Sequence, residues 1–257
     1  MLRVIATSFV GMLLSVSYLK NIIARLQFII RVGSTYSKIV NIVSGETTMV
    51  QAIQAQDVTP AYLKEKFGLQ KSDDDNFFTE WFEDLPEIAD LEKHYLDEVK
   101  IDYLSLLESP PLLENAVKLV VLSPLLYLAK FYRPPFRITT EKSIEISVEH
   151  KGEIVRGRID VLVLQQQLWI AVIEAKRSDF AVNKAIPQAL AYMLANPNSE
   201  KSSFGLVING SDFIFVKLTK QAQTRYALSD QFTLFRRENE LYKVLSILKK
   251  LGQIITQ

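Results

Sequence analysis

The sequence predicts an α/β fold: a mixed β-sheet core flanked by helices, with a helical N-terminal extension. Three observations lead there. From residue 111 onward the hydrophobic pattern runs helix, three strands, helix, two strands, helix. The strands at 156–164 and 168–174 are apolar on both faces, as in a sheet covered on both sides. Hydrophobic residues make up 48% of 257 positions, enough for one large packed domain or one domain plus an appendage.

Residues 1–48 differ from the rest. They are apolar and basic, with five basic residues and one acidic. Val4–Tyr18 is shorter than the roughly 20 apolar residues that span a bilayer. Leu19–Val32 carries Lys20, Arg25 and Arg31 at helical spacing. The preferred reading is a translation start at Met49, ahead of a membrane anchor and then of a cleaved signal.

Residues 49–110 read as an acidic helical region packed on the core, with five basic and fifteen acidic residues. Thr59-Pro60 supplies an N-cap and a proline at the first helical position. Ser72-Asp73-Asp74-Asp75-Asn76 precedes Phe77, Phe78, Trp81 and Phe82, and predicts a second helix start with acids in its first turn. The run of three Asp is a solvated helix start, because consecutive side chains point apart.

Residues 111–257 form the chemical domain, with twenty basic and thirteen acidic residues, a balance suited to a polyanion. Leu112–Lys130 is a helical pattern that Pro124 should kink or divide. Ile144, Ile146 and Val148 mark a half-buried strand. Gln165–Gln167 is the expected turn between the two buried strands. Asn183–Leu194 is a helix, Phe204–Ile208 and Phe213–Leu218 are strands joined at Asn209-Gly210, and a last helix covers about 238–251.

An acid in an apolar strand is costly unless compensated. Asp160 is such an acid, and Glu174 ends the next strand with Lys176 two residues on. With a three-residue turn, Asp160 faces Val172 and sits diagonal to Glu174, roughly 7–8 Å away at Cα. A two-residue turn would place the two acids on opposite faces. Two carboxylates and an ammonium on one face suit a divalent metal and attack on a phosphodiester. The ion would be Mg²⁺ or Mn²⁺, which favour oxygen ligands and keep several waters. Lys176 would orient water or stabilise the transition state. Arg156 and Arg158 flank the pair and are candidates for phosphate contact. The chain has no cysteine and only two histidines. That excludes thiolate sites and disulfides, argues against a histidine-rich centre, and suits a cytoplasmic location.

Asp160 with Glu174-Ala175-Lys176 resembles the PD-(D/E)xK nuclease superfamily, with Ile159 where a proline usually stands. Gln188-Ala189-Leu190-Ala191-Tyr192 resembles the Q-x-x-x-Y motif of the branch containing RecB-type nucleases and type I restriction enzymes. Residues 49–251 thus look like small type I restriction endonuclease R-subunit-like proteins. The resemblance implies a restriction-endonuclease-like core and a Mg²⁺-dependent endodeoxyribonuclease in restriction, defence or repair. It implies Asp160, Glu174 and Lys176 as catalytic, Glu114 as a further metal ligand beside Asp160 and Glu174, and Gln188 and Tyr192 as supporting residues. Glu141 and Glu145 are weaker candidates for the further ligand. DNA is the expected partner. A homodimer would let single sites cut both strands, and any motor or methyltransferase would be a separate subunit, since the chain has no G-x-x-x-x-G-K-[ST] phosphate loop. The alternative is an inactive nucleic-acid- or protein-binding module on the same fold.

Overall fold

The computed structural model describes residues 27–32, 36–43, 46–109, 111–148, 153–165 and 168–254. Two compact units meet in sequence at Ala52 and Ile53. In the first, β1 (Gln27–Val32) and β2 (Tyr36–Val43) pair antiparallel, with Ile29 opposite Ile39. Gln27–Val32 is therefore extended, and the helical spacing of the basic residues does not carry through it. The apolar run Val4–Tyr18 lies outside the described residues. Strand β3 (Glu46–Gln54) leads out of this unit.

In the second unit α1 (Pro60–Phe67) starts as expected, with Thr59 Oγ1 accepting from the Tyr62 amide at 3.1 Å. It ends at Gly68, whose φ of 63° only glycine adopts without strain. A two-residue strand, β4 (Gln70–Lys71), follows. The helix expected near Phe77 is absent; residues 75–84 form successive turns. Ser72 Oγ accepts from the Asp74 amide and Asp74 Oδ1 from the Asn76 amide. These side chains compete with the helical ladder for the same donors, and Phe77 and Phe78 are buried side by side instead. The next helix, α2 (Asp90–Leu106), begins at Ala89, whose amide donates to Glu92 Oε2 at 3.0 Å.

The predicted helix at 112–130 is divided. Glu114–Val117 is α3, Lys118–Leu122 is a widened π turn, and Ser123–Leu128 is α4. Pro124 accounts for the division. It cannot donate to the carbonyl four residues back and its ring crowds that carbonyl, so the Ser123 amide reaches back five residues to the Lys118 carbonyl.

The sheet then assembles from β5 (Phe136–Val148), β6 (Glu153–Gln165), β7 (Leu168–Ala175), β8 (Ser203–Ile208), β9 (Asp212–Thr219) and β10 (Arg225–Thr233). Across it the order is β5, β6, β7, β8, β9, β10, β4. β7 runs parallel to β8, and β10 to β4; the remaining neighbours in this order are antiparallel. Between β7 and β8 the chain crosses through a short 3₁₀ turn, Val182–Ala185, and α5 (Ile186–Leu194). The last helix is α6 (Leu241–Ile254). This is the expected mixed α/β sheet flanked by helices.

Both faces of the sheet are covered. Val161, Val163, Ile173, Leu206 and Phe215 pack with α2, α4 and α6, while Leu162, Val207, Ile214 and Val216 pack with α1 and α5. At the β8–β9 turn Gly210 has φ 98°, and a Cβ there would lie 2.5 Å from the Tyr103 ring. Turn geometry and close packing both demand glycine at this position.

Two bulges matter. One, in β10 between Leu228 and Gln231, shifts the phase of burial, so that Ala227 and Phe232 pack on the same side. The strand consequently shows no clean alternation, and the sequence pattern gave no sign of it. The other bulge governs the site.

Candidate functional site

At the tip of the β6–β7 hairpin Gln165 pairs with Leu168 and Leu164 with Trp169. The turn is one residue tighter than expected. Taken alone, that register would place Asp160 and Glu174 on opposite faces. A bulge then adds one residue to β7, so Val163 pairs with Ala171 and Val161 with Ile173. Continued one step, this register sets Asp160 opposite Glu174. The two acids are thus direct neighbours across the hairpin, not diagonal ones facing across Val172.

Asp160 is 9% exposed and Glu174 is 2% exposed. Asp160 Oδ2 accepts from the Ala175 amide at 2.8 Å, and its Oδ1 lies 2.9 Å from Lys118 Nζ. Glu174 Oε1 holds Lys176 Nζ at 2.5 Å, while its Oε2 is buried with no hydrogen-bond partner among the described residues. Burial, then repulsion from Asp160, pushes the Glu174 carboxyl up from its ordinary 4.5 to about 8, against the pull of Lys176. Burial also raises Asp160, opposed by Lys118 and the Ala175 amide.

Lys176 is fixed on several sides. Gln188 Oε1 accepts from its ammonium at 2.9 Å, and the ammonium sits 5.7 Å from the centroid of the Phe180 ring. Gln188 Nε2 in turn donates to the Tyr192 hydroxyl at 2.6 Å. The i,i+4 pair on α5 therefore acts as a unit: Gln188 touches the lysine and Tyr192 orients Gln188. Burial holds the Tyr192 phenol well above its usual range, so it stays neutral. The Tyr192 ring packs on the sheet at Gly157, where a Cβ would come within 2.5 Å of the ring and 2.7 Å of Ala55 Cβ.

Glu114, at the start of α3, reaches the same cluster through Lys118, whose Nζ is 2.6 Å from Glu114 Oε1. Glu141 Oε1 lies 3.7 Å from that ammonium. Glu141 is on β5 with φ 55°, an uncommon conformation for a non-glycine residue and one that recurs at functional sites. Arg156 and Arg158 line the same cleft but each is already paired, Arg156 with Glu145 at 2.8 Å and Arg158 with Glu141 at 2.7 Å. The cleft has a volume of about 820 Å³. Among the described residues of the acidic N-terminal region, the uncharged Gln54, Ala55 and Gln56 line it.

The donors suit a hard divalent cation. Two facing carboxylates and a buried, unpartnered Glu174 oxygen are what such an ion would engage. As the side chains stand, no three acidic or histidine side chains among the described residues are set to hold a metal ion together; Lys118 instead bridges Glu114 and Asp160. Lys118 and Phe180 were not singled out from sequence. The signal for Lys118 was present: it is the fourth residue after Glu114.

A family model described as type I restriction enzyme R protein N terminus matches residues 56–224. The chain belongs to this family. The match contains Glu114, Asp160, Glu174, Lys176, Gln188 and Tyr192. Among solved structures, a fragment assigned as an HsdR subunit of a type I restriction enzyme from Vibrio vulnificus is 22% identical with a TM-score of 0.36. That alignment covers 56% of this chain and 26% of the other. No curated protein matches. No helix among the described residues is long and apolar enough to cross a membrane.

Proposed function

We propose that the chain is a PD-(D/E)xK-type nuclease that cleaves DNA phosphodiester bonds with Mg²⁺ or Mn²⁺, as part of a restriction-type activity. The observation that carries this reading is the pairing of two buried carboxylates, Asp160 and Glu174, beside a lysine held by Gln188. Burying like charges face to face costs stability, and a cation binding site justifies that cost. Family membership supports the restriction context. Asp160 and Glu174 would hold the ion, with Glu114 as a third ligand. When bound, the ion supplies an activated water and charge neutralisation at the scissile phosphate. Lys176, fixed between Glu174 and Gln188, presents its ammonium at the cleft to a phosphate oxygen or the attacking water. Tyr192 keeps Gln188 in place. Arg156 and Arg158 would guide the backbone along the cleft, exchanging Glu145 and Glu141 for phosphates. DNA is the proposed substrate, in a cytoplasmic setting. A second copy of the chain and separate motor or methyltransferase subunits are the proposed partners.

The test uses the full chain with supercoiled plasmid and single-stranded DNA in Mg²⁺, Mn²⁺ or EDTA, beside Lys176→Ala. Metal-dependent cleavage is expected, reduced in the variant on the order of 10²–10⁴-fold. Equal cleavage by both proteins would remove Lys176 from the chemistry. A folded chain inert on every substrate would favour the binding-module alternative.

A further inference from the structure

The residue that completes the carboxylate cluster is a lysine outside the motif. Lys118 Nζ stands 2.6 Å from Glu114, 2.9 Å from Asp160 and 3.7 Å from Glu141. Its side chain is only 17% exposed. It opens the π turn of Lys118–Leu122, and such bulges often mark functional positions. The ammonium holds Glu114 Oε1 and Asp160 Oδ1, oxygens that a metal ion at Asp160 would draw on, and its charge offsets the repulsion between these carboxylates. A second, doubly charged ion cannot share the same oxygens without strong repulsion from it.

We propose that Lys118 is the resident counter-cation of the Glu114–Asp160 cluster, and that a divalent metal binds by displacing its ammonium into the cleft. The inference rests on the metal-site reading above. Before metal arrives, Lys118 keeps the carboxylates assembled. When metal binds, the flexible four-carbon stem lets the ammonium swing aside, where it becomes a further cation for a phosphate backbone. Metal affinity is thereby set below what the carboxylates alone would give, since each binding event must break an existing ion pair.

The experiment compares the full chain with Lys118→Met by calorimetric titration of Mn²⁺ and by thermal melting in EDTA and in Mn²⁺. Lys118→Gln serves as a second variant, which keeps a hydrogen-bonding group should the Met variant fold poorly. The expected result is Mn²⁺ affinity about tenfold tighter in the variants. Their melting temperature in EDTA should drop by roughly 5 °C, and added Mn²⁺ should restore it. Unchanged or weaker Mn²⁺ affinity in folded variants would overturn the inference while leaving the metal site standing. No Mn²⁺ binding by any of the three proteins would overturn the metal-site reading, and the inference with it.

Discussion

In EDTA, the native chain should lose stability steadily between about pH 5 and pH 8, and Glu174→Gln should remove most of that loss. The folded-state value of Glu174 lies at about 8, above its ordinary 4.5. Below the ordinary value the carboxyl is protonated in both states and contributes no difference. Between the two values the unfolded chain has released the proton and the folded chain retains it. The folded state then binds more protons, so stability falls as pH rises. Above the folded value both states are ionised and the full penalty is present, roughly 3–5 kcal/mol by linkage. Gln mimics the protonated acid at every pH. Urea denaturation from pH 5 to 9 should show the two curves diverging, with the variant the more stable at pH 9. Parallel curves would mean that Glu174 is not held as a strained buried acid. Mg²⁺ should flatten the native curve, because a cation offers the ionised form the partner that Glu174 Oε2 lacks.

Gly157→Ala should be severe for so small a change. The added methyl would lie 2.5 Å from the Tyr192 ring and 2.7 Å from Ala55 Cβ, both below any normal contact. Neither neighbour is a flexible tip. Tyr192 is buried and bonded to Gln188, and Ala55 sits in a short 3₁₀ turn. Overpacking of this kind costs about 1–3 kcal/mol. The larger consequence is geometric: moving Tyr192 moves Gln188, which holds Lys176 at 2.9 Å. A displacement of about 1 Å at a catalytic group can lower turnover on the order of 10²-fold. The denaturation midpoint and the cleavage rate, measured together, should both fall, with Tyr192→Phe affecting the rate less because the ring stays in place. A Gly157→Ala protein of native stability and native rate would contradict the packing described.

The uneven legibility of the sequence follows from where local and tertiary forces agree. Asp160 and Glu174 stood out because each is an acid in an apolar strand, and Gln188 and Tyr192 because their spacing is one helical turn. Their shared face, however, depends on a turn one residue tighter than expected and on an extra residue in β7, two shifts whose effects on the facing of the two acids cancel. Neither shift leaves a mark in residue pattern. Strand β10 was hidden by its own bulge, which interrupts the period of two. The helix expected at Phe77 yields to hydrogen bonds from Ser72 and Asp74, a competition that composition alone does not decide. Pro124 announced a break, yet the form it takes, a π turn opening at Lys118, belongs to the folded backbone. Lys118 itself reads as an ordinary surface partner of Glu114 until the fold brings Asp160 to its other side.

The most direct test of the metal-centre account is a crystal structure of the full chain grown with Mn²⁺, read by anomalous scattering. A peak is expected between Asp160 and Glu174, within coordination distance of both carboxylates, with the Lys118 ammonium withdrawn from Asp160. A fully bound metal elsewhere, or a vacant cluster with Lys118 still in contact with Glu114 and Asp160 at saturating Mn²⁺, would contradict it.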